Sequence, residues 1–119
     1  MARADRLERA DRLREMLEGE YRQHLIVALQ NTAAGHWGLF DHQQDRHARA
    51  RVAPVIERLA DLAGEIDEQR DLLGLEPFAL HRDFMADRGP VKSSAVGEPR
   101  QAKAWLERLG EDVWPKPNE

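Results

Sequence analysis

Histidine and carboxylate side chains cluster between residues 36 and 47 of this 119-residue chain. Imidazole and carboxylate groups suit zinc, iron, manganese or nickel, so this segment is a candidate metal site. If the segment is helical, His47 points about 140° away from His42. The three histidines therefore cannot converge from a single helix, and a metal would need His36 to fold back or another residue to approach. The candidate ligands are His36, Asp41, His42, Asp45 and His47.

Two large aromatic residues lie between glycines at the start of the same segment, in the run GHWGLF. Because only 6% of the residues are aromatic, we expect Trp37 and Phe40 to close the end of a helical hairpin. The alternative is a small-ligand pocket, in which Gly35 and Gly38 permit close approach of the backbone. The ligand-binding candidates are then His36, Trp37, Phe40 and His42.

A short basic run follows and is the basis of a third hypothesis, a regulator that binds nucleic acid. Its arginines are Arg46, Arg49 and Arg51, but their spacing distributes them over different faces of a helix. The segment 57–76 is strongly acidic, and the whole chain has a net charge of −4, which repels phosphates. Nucleic-acid binding is therefore not favoured.

The composition argues against catalysis. The chain contains no cysteine, which excludes a thiol nucleophile, an iron–sulfur cluster and a cysteine-ligated zinc site. No carboxylate interrupts an apolar stripe, so no acid is indicated whose pKa burial would shift. His24 and His81 lie beside apolar residues, and we expect each to be a hydrogen-bonded core residue. We expect a protein that is not an enzyme and needs no cofactor.

Good helix formers dominate the chain, and no segment is a strong strand candidate. The pattern predicts an all-α fold, in which a long antiparallel helical hairpin is covered by two shorter packing helices. Glycine and proline place the helices at about 2–34, 43–73, 77–88 and 99–109, with Gly74 and Gly110 as the residues that end two of them. We expect residues 1–110 to form a single domain and residues 111–119 an extended tail.

Two positions leave the helix boundaries open. Gly19 lies inside the first helical pattern, where a glycine costs about 1 kcal/mol relative to alanine and permits a break. Pro54 lies inside the second pattern, and it either kinks that helix or begins its main part.

The first helix suggests a partner. Its apolar residues recur at steps of three and four, which is typical of a coiled-coil seam. A helix of this length spans about 50 Å, whereas a compact domain of this size has a radius of gyration of about 13–14 Å. Since the short helices can cover only part of it, we expect a homodimer or another helical protein as partner. The residues expected to bind this partner are Leu7, Leu13, Leu17 and Tyr21.

The chain has no sequence signal for a membrane or for export. Its N-terminal residues are highly charged, and its longest apolar run, Leu25–Leu29, is too short to span a bilayer. We therefore expect a cytoplasmic protein. The leading hypothesis is an interaction or structural protein that acts through its helix faces.

Overall fold

The computed structural model describes residues 3–34, 46–88 and 98–111. These ranges contain four α-helices and no β-strand, which confirms the all-α prediction for the described residues. The helices are α1 (Arg3–Ala33), α2 (Arg46–Leu72), α3 (Ala79–Arg88) and α4 (Glu98–Arg108).

Glycines end α2 and α4 as the sequence predicts. Gly74 has a φ of 71° and Gly110 a φ of 75°, in the left-handed region that side chains disfavour. The residue after each glycine donates its amide back into the last helical turn: Leu75 N to Arg70 O and Glu111 N to Leu106 O, both at 2.8 Å. This pairing satisfies carbonyl groups that the helix end leaves without an intrahelical donor.

Neither Gly19 nor Pro54 interrupts the helix in which it lies. Gly19 lies within a continuous α1, and nearby Leu17 and Tyr21 are buried in the core, so packing outweighs its poor helix propensity. Pro54 lies inside α2, which already begins at Arg46. Pro54 therefore does not start the second helix.

One hydrophobic core joins the four helices. It forms where α1 packs against α2 and α4, while α3 packs against α2. Fully buried members include Leu25 and Leu29 of α1, Leu62 of α2, Phe84 of α3 and Leu106 of α4. The radius of gyration is 16.3 Å, larger than the value of about 13.5 Å for a compact chain of this length. The molecule is therefore elongated, as the length of α1 requires.

Candidate interaction surface on helix α1

One face of α1 carries exposed apolar side chains. Leu13 is 38% exposed, Met16 61% and Val27 49%. A helix turns by about 100° per residue, so residues separated alternately by three and four positions lie on one face. Leu13, Met16 and Val27 share such a face with several polar residues. We call this the outer face; it comprises Arg6, Arg9, Leu13, Met16, Glu20, Gln23 and Val27.

The opposite side of α1 is committed to the core. Leu17 is 7% exposed and Tyr21 is fully buried, so these two predicted partner residues pack within their own chain. Leu7 is half-buried, and Leu13 belongs to the outer face. Sequence reasoning missed Met16 and Val27, although their spacing from Leu13 was available as a signal.

A shallow groove of about 260 Å³ lies beside the outer face, between α1 and Val55 of α2. Its α1 side is formed by Glu20, Gln23, His24 and Val27. The Oε1 atom of Glu20 accepts a hydrogen bond from Arg58 Nη2 at 2.8 Å and lies 3.8 Å from His24 Nε2. The prediction that His24 is a core residue is wrong: its side chain is 45% exposed. The step from Leu25 back to His24 turns the side chain by about 100°, away from the core.

His81 makes the predicted hydrogen bond, but it is half-buried at the edge of the core and is not a core residue. Its Nδ1 lies 2.8 Å from the hydroxyl oxygen of Tyr21, and the Tyr21 and Phe78 rings pack nearly perpendicular to each other, with centroids 5.0 Å apart. Burial raises the pKa of the Tyr21 hydroxyl, which therefore stays protonated. Burial lowers the pKa of His81, with the Asp67 carboxylate opposing that shift. Neutral His81 can then accept the hydrogen bond that Tyr21 donates.

We expect this histidine to make folding sensitive to mild acid. An unfolded histidine has a pKa of about 6.5, and the folded value lies below it, so the unfolded chain binds the proton more readily. The contribution of His81 is therefore present above the unfolded pKa of about 6.5, and stability falls as the pH drops below that value. His81→Gln, which keeps a hydrogen-bond acceptor, should flatten this dependence in urea unfolding measured at several pH values.

His24→Gln, at an exposed side chain, is the control. A His81→Gln variant with the slope of the unmodified protein would contradict the expectation.

A second groove, of about 770 Å³, separates α3 from α4. Trp105 Nε1 donates to Asp87 Oδ2 at 2.6 Å, and Arg108 Nη2 lies 3.0 Å from Asp83 Oδ2. The Arg108 guanidinium also stands 4.5 Å from the centroid of the Trp105 ring. These polar groups pair with one another across the groove, so their evident role is to join α3 to α4.

The other sequence candidates are not tested by this structure. His36, Trp37, Phe40, Asp41, His42 and Asp45 lie outside the described residues, as do the side chains of Arg46, His47, Arg49 and Arg51. In the part of the chain that is described, no three or more histidine or carboxylate side chains are arranged to hold a metal ion. The metal, small-ligand and nucleic-acid hypotheses therefore stay predictions.

Within the described ranges, no helix combines the length and apolar character needed to cross a membrane. Comparison of the chain with protein-family models, curated proteins and solved structures gives no match. The chain's own surfaces are therefore the basis for inferring what it does.

Proposed function

We propose that this protein is a non-enzymatic helical interaction protein that associates with itself through the outer face of α1. The observation that carries the proposal is the exposure of Leu13, Met16 and Val27 along one face at coiled-coil spacing. Single exposed apolar residues are common on protein surfaces and need no explanation. Here three exposed apolar residues share one face of a helix, and the opposite face is already buried. This arrangement favours a second packing partner.

In this proposal α1 and α2 form the long antiparallel hairpin that displays the outer face. Two ion pairs between the helices support that arrangement. Glu18 pairs with Arg70 and Glu20 with Arg58, each at 2.8 Å, so the later residue of α1 meets the earlier residue of α2. That order is the one expected when two helices run in opposite directions.

Burial of these side chains supplies the driving force for association. Full burial of a leucine or methionine contributes about 1.5–3 kcal/mol relative to exposure. Leu13 and Met16 are already partly covered, so each contributes a fraction of that amount. In a symmetric dimer every contact occurs twice. The fraction of dimer should therefore change with protein concentration over the range that can be measured.

The test compares one methionine and one leucine whose side chains are exposed to a similar extent. Met16 on the outer face is 61% exposed, and Leu72 at the end of α2 is 64% exposed. Sedimentation equilibrium over a range of concentrations should show a monomer–dimer equilibrium for the unmodified chain. Met16→Glu should weaken association by at least about tenfold, which corresponds to about 1.4 kcal/mol. Leu72→Glu should leave it unchanged.

Two results would contradict the proposal. One is a monomer at every concentration of the unmodified chain. The other is equal weakening by Met16→Glu and Leu72→Glu, since that would assign the effect to charge in general and not to the outer face.

A further inference from the structure

We infer that the second copy lies antiparallel on the outer face, with Leu13 of one copy against Met16 of the other and Arg9 of one copy against Glu20 of the other. This inference rests on the proposed self-association and specifies its geometry. The argument comes from the order of apolar and charged residues along α1.

The outer face is basic before its apolar pair and acidic after it. Arg6 and Arg9 precede Leu13 and Met16, and Glu20 follows them. A parallel, in-register pair of helices would place Arg9 against Arg9 and Glu20 against Glu20, which is repulsive. An antiparallel pair centred between Leu13 and Met16 brings opposite charges together instead.

The antiparallel register pairs the six outer-face positions from Arg6 to Gln23, and Val27 lies beyond this paired segment. Leu13 meets Met16, Arg9 meets Glu20, and Arg6 meets Gln23. A twofold axis through the centre repeats each of these pairs, so one face is complementary to itself. This property identifies a second copy of the chain as the partner that fits.

The charged groups on the outer face each retain a hydrogen-bonding position for these contacts. Arg6 and Arg9 are exposed and make no ion pair with any described residue, whereas nearby Arg14 pairs with Asp11 and Glu18. The side chain of Glu20 is 39% exposed, and its bond to Arg58 uses Oε1. Since a carboxylate has about four acceptor positions on two oxygens, Glu20 can bind a second guanidinium.

Cysteine cross-linking tests the register directly, because the chain has no cysteine of its own. We would prepare Arg6→Cys and Gln23→Cys and oxidise each alone and as an equal mixture. In the antiparallel dimer the two introduced cysteines of a mixed pair are adjacent, whereas in each single-variant dimer they are about 25 Å apart along the helix axis. A disulfide requires Cα atoms closer than about 7 Å. We therefore expect cross-linked dimer in the mixture only.

The outcomes separate this inference from the proposed self-association. Cross-linking within each single variant would establish a parallel pair and overturn the register while leaving the dimer intact. A dimer that cross-links in none of the three samples would also overturn the register. Sedimentation of the unmodified chain as a monomer would overturn both proposals.

A charge exchange provides a second measurement that does not depend on cysteine chemistry. Arg9→Glu and Glu20→Arg should each weaken dimerisation by about tenfold, and the double variant should recover to within about threefold of the unmodified chain. Because Glu20→Arg also removes the bond to Arg58 within the chain, circular dichroism and urea unfolding of each variant must show that it is folded and as stable as the unmodified chain. Failure of the double variant to recover would overturn the Arg9–Glu20 pairing.

Discussion

Replacing Tyr21 with alanine should lower the free energy of unfolding by about 3–5 kcal/mol, as removal of a buried aromatic side chain typically does. Tyr21 is fully buried, and its ring meets the rings of Phe78 and His81 with centroids 5.0 and 5.5 Å away. The substitution leaves a cavity between α1 and α3 and removes the hydroxyl that bonds to His81. Urea unfolding followed by circular dichroism measures the loss.

Tyr21→Phe is the matched control for this prediction. It retains the ring and removes only the hydroxyl, so it should cost about 0.5–1.5 kcal/mol. Both measurements belong at protein concentrations where the chain is monomeric. If Tyr21 served chiefly to bind a partner, Tyr21→Ala would alter association and leave the unfolding of the monomer nearly unchanged.

Phe84→Ala should cost a similar amount, about 3–5 kcal/mol, and should act mainly on α3. Phe84 is fully buried, and its ring packs nearly perpendicular to that of Trp105 of α4, with ring centroids 5.7 Å apart. Helix α3 has 10 residues, and a helix shorter than about 12–15 residues is marginal without tertiary packing. We therefore expect both lower global stability and faster hydrogen exchange of the α3 amides.

Met85→Ala tests whether the effect is specific to the buried ring. Met85 is the next residue of the same helix but is only partly buried, so its replacement should cost less than half as much. Equal losses for the two variants would show that Phe84 does not anchor α3 in the way its burial indicates.

The helical content and the helix ends were accessible from sequence because local chemistry controls them. Gly74 and Gly110 end helices through their own backbone freedom, and this does not depend on distant residues. Gly19 shows the limit of local reasoning, since its poor helix propensity is overridden by the burial of Leu17 and Tyr21. Tertiary packing decides such positions, and it is invisible in a short window of sequence.

The candidate surface was only partly predictable for a related reason. Periodicity shows which residues share a face of α1, but it does not show whether that face meets the same chain or a partner. The partner residues predicted from sequence include exposed Leu13 and buried Leu17 and Tyr21. Leu17 and Tyr21 are buried because α2 and α4 pack against that side of α1. The bond between Tyr21 and His81, which are 60 positions apart, likewise depends on the fold alone.

The length of α1 determines how far apart the two ends of the proposed dimer would be. In the proposed antiparallel dimer the twofold axis would cross α1 near Leu13 and Met16, far from the end of the helix at Ala33. At 1.5 Å per residue, the two Ala33 ends of that dimer would lie about 55 Å apart and point in opposite directions. The dimer would then act as a rigid bivalent spacer. Two identical binding partners held at those ends would gain avidity only on targets whose sites match that separation.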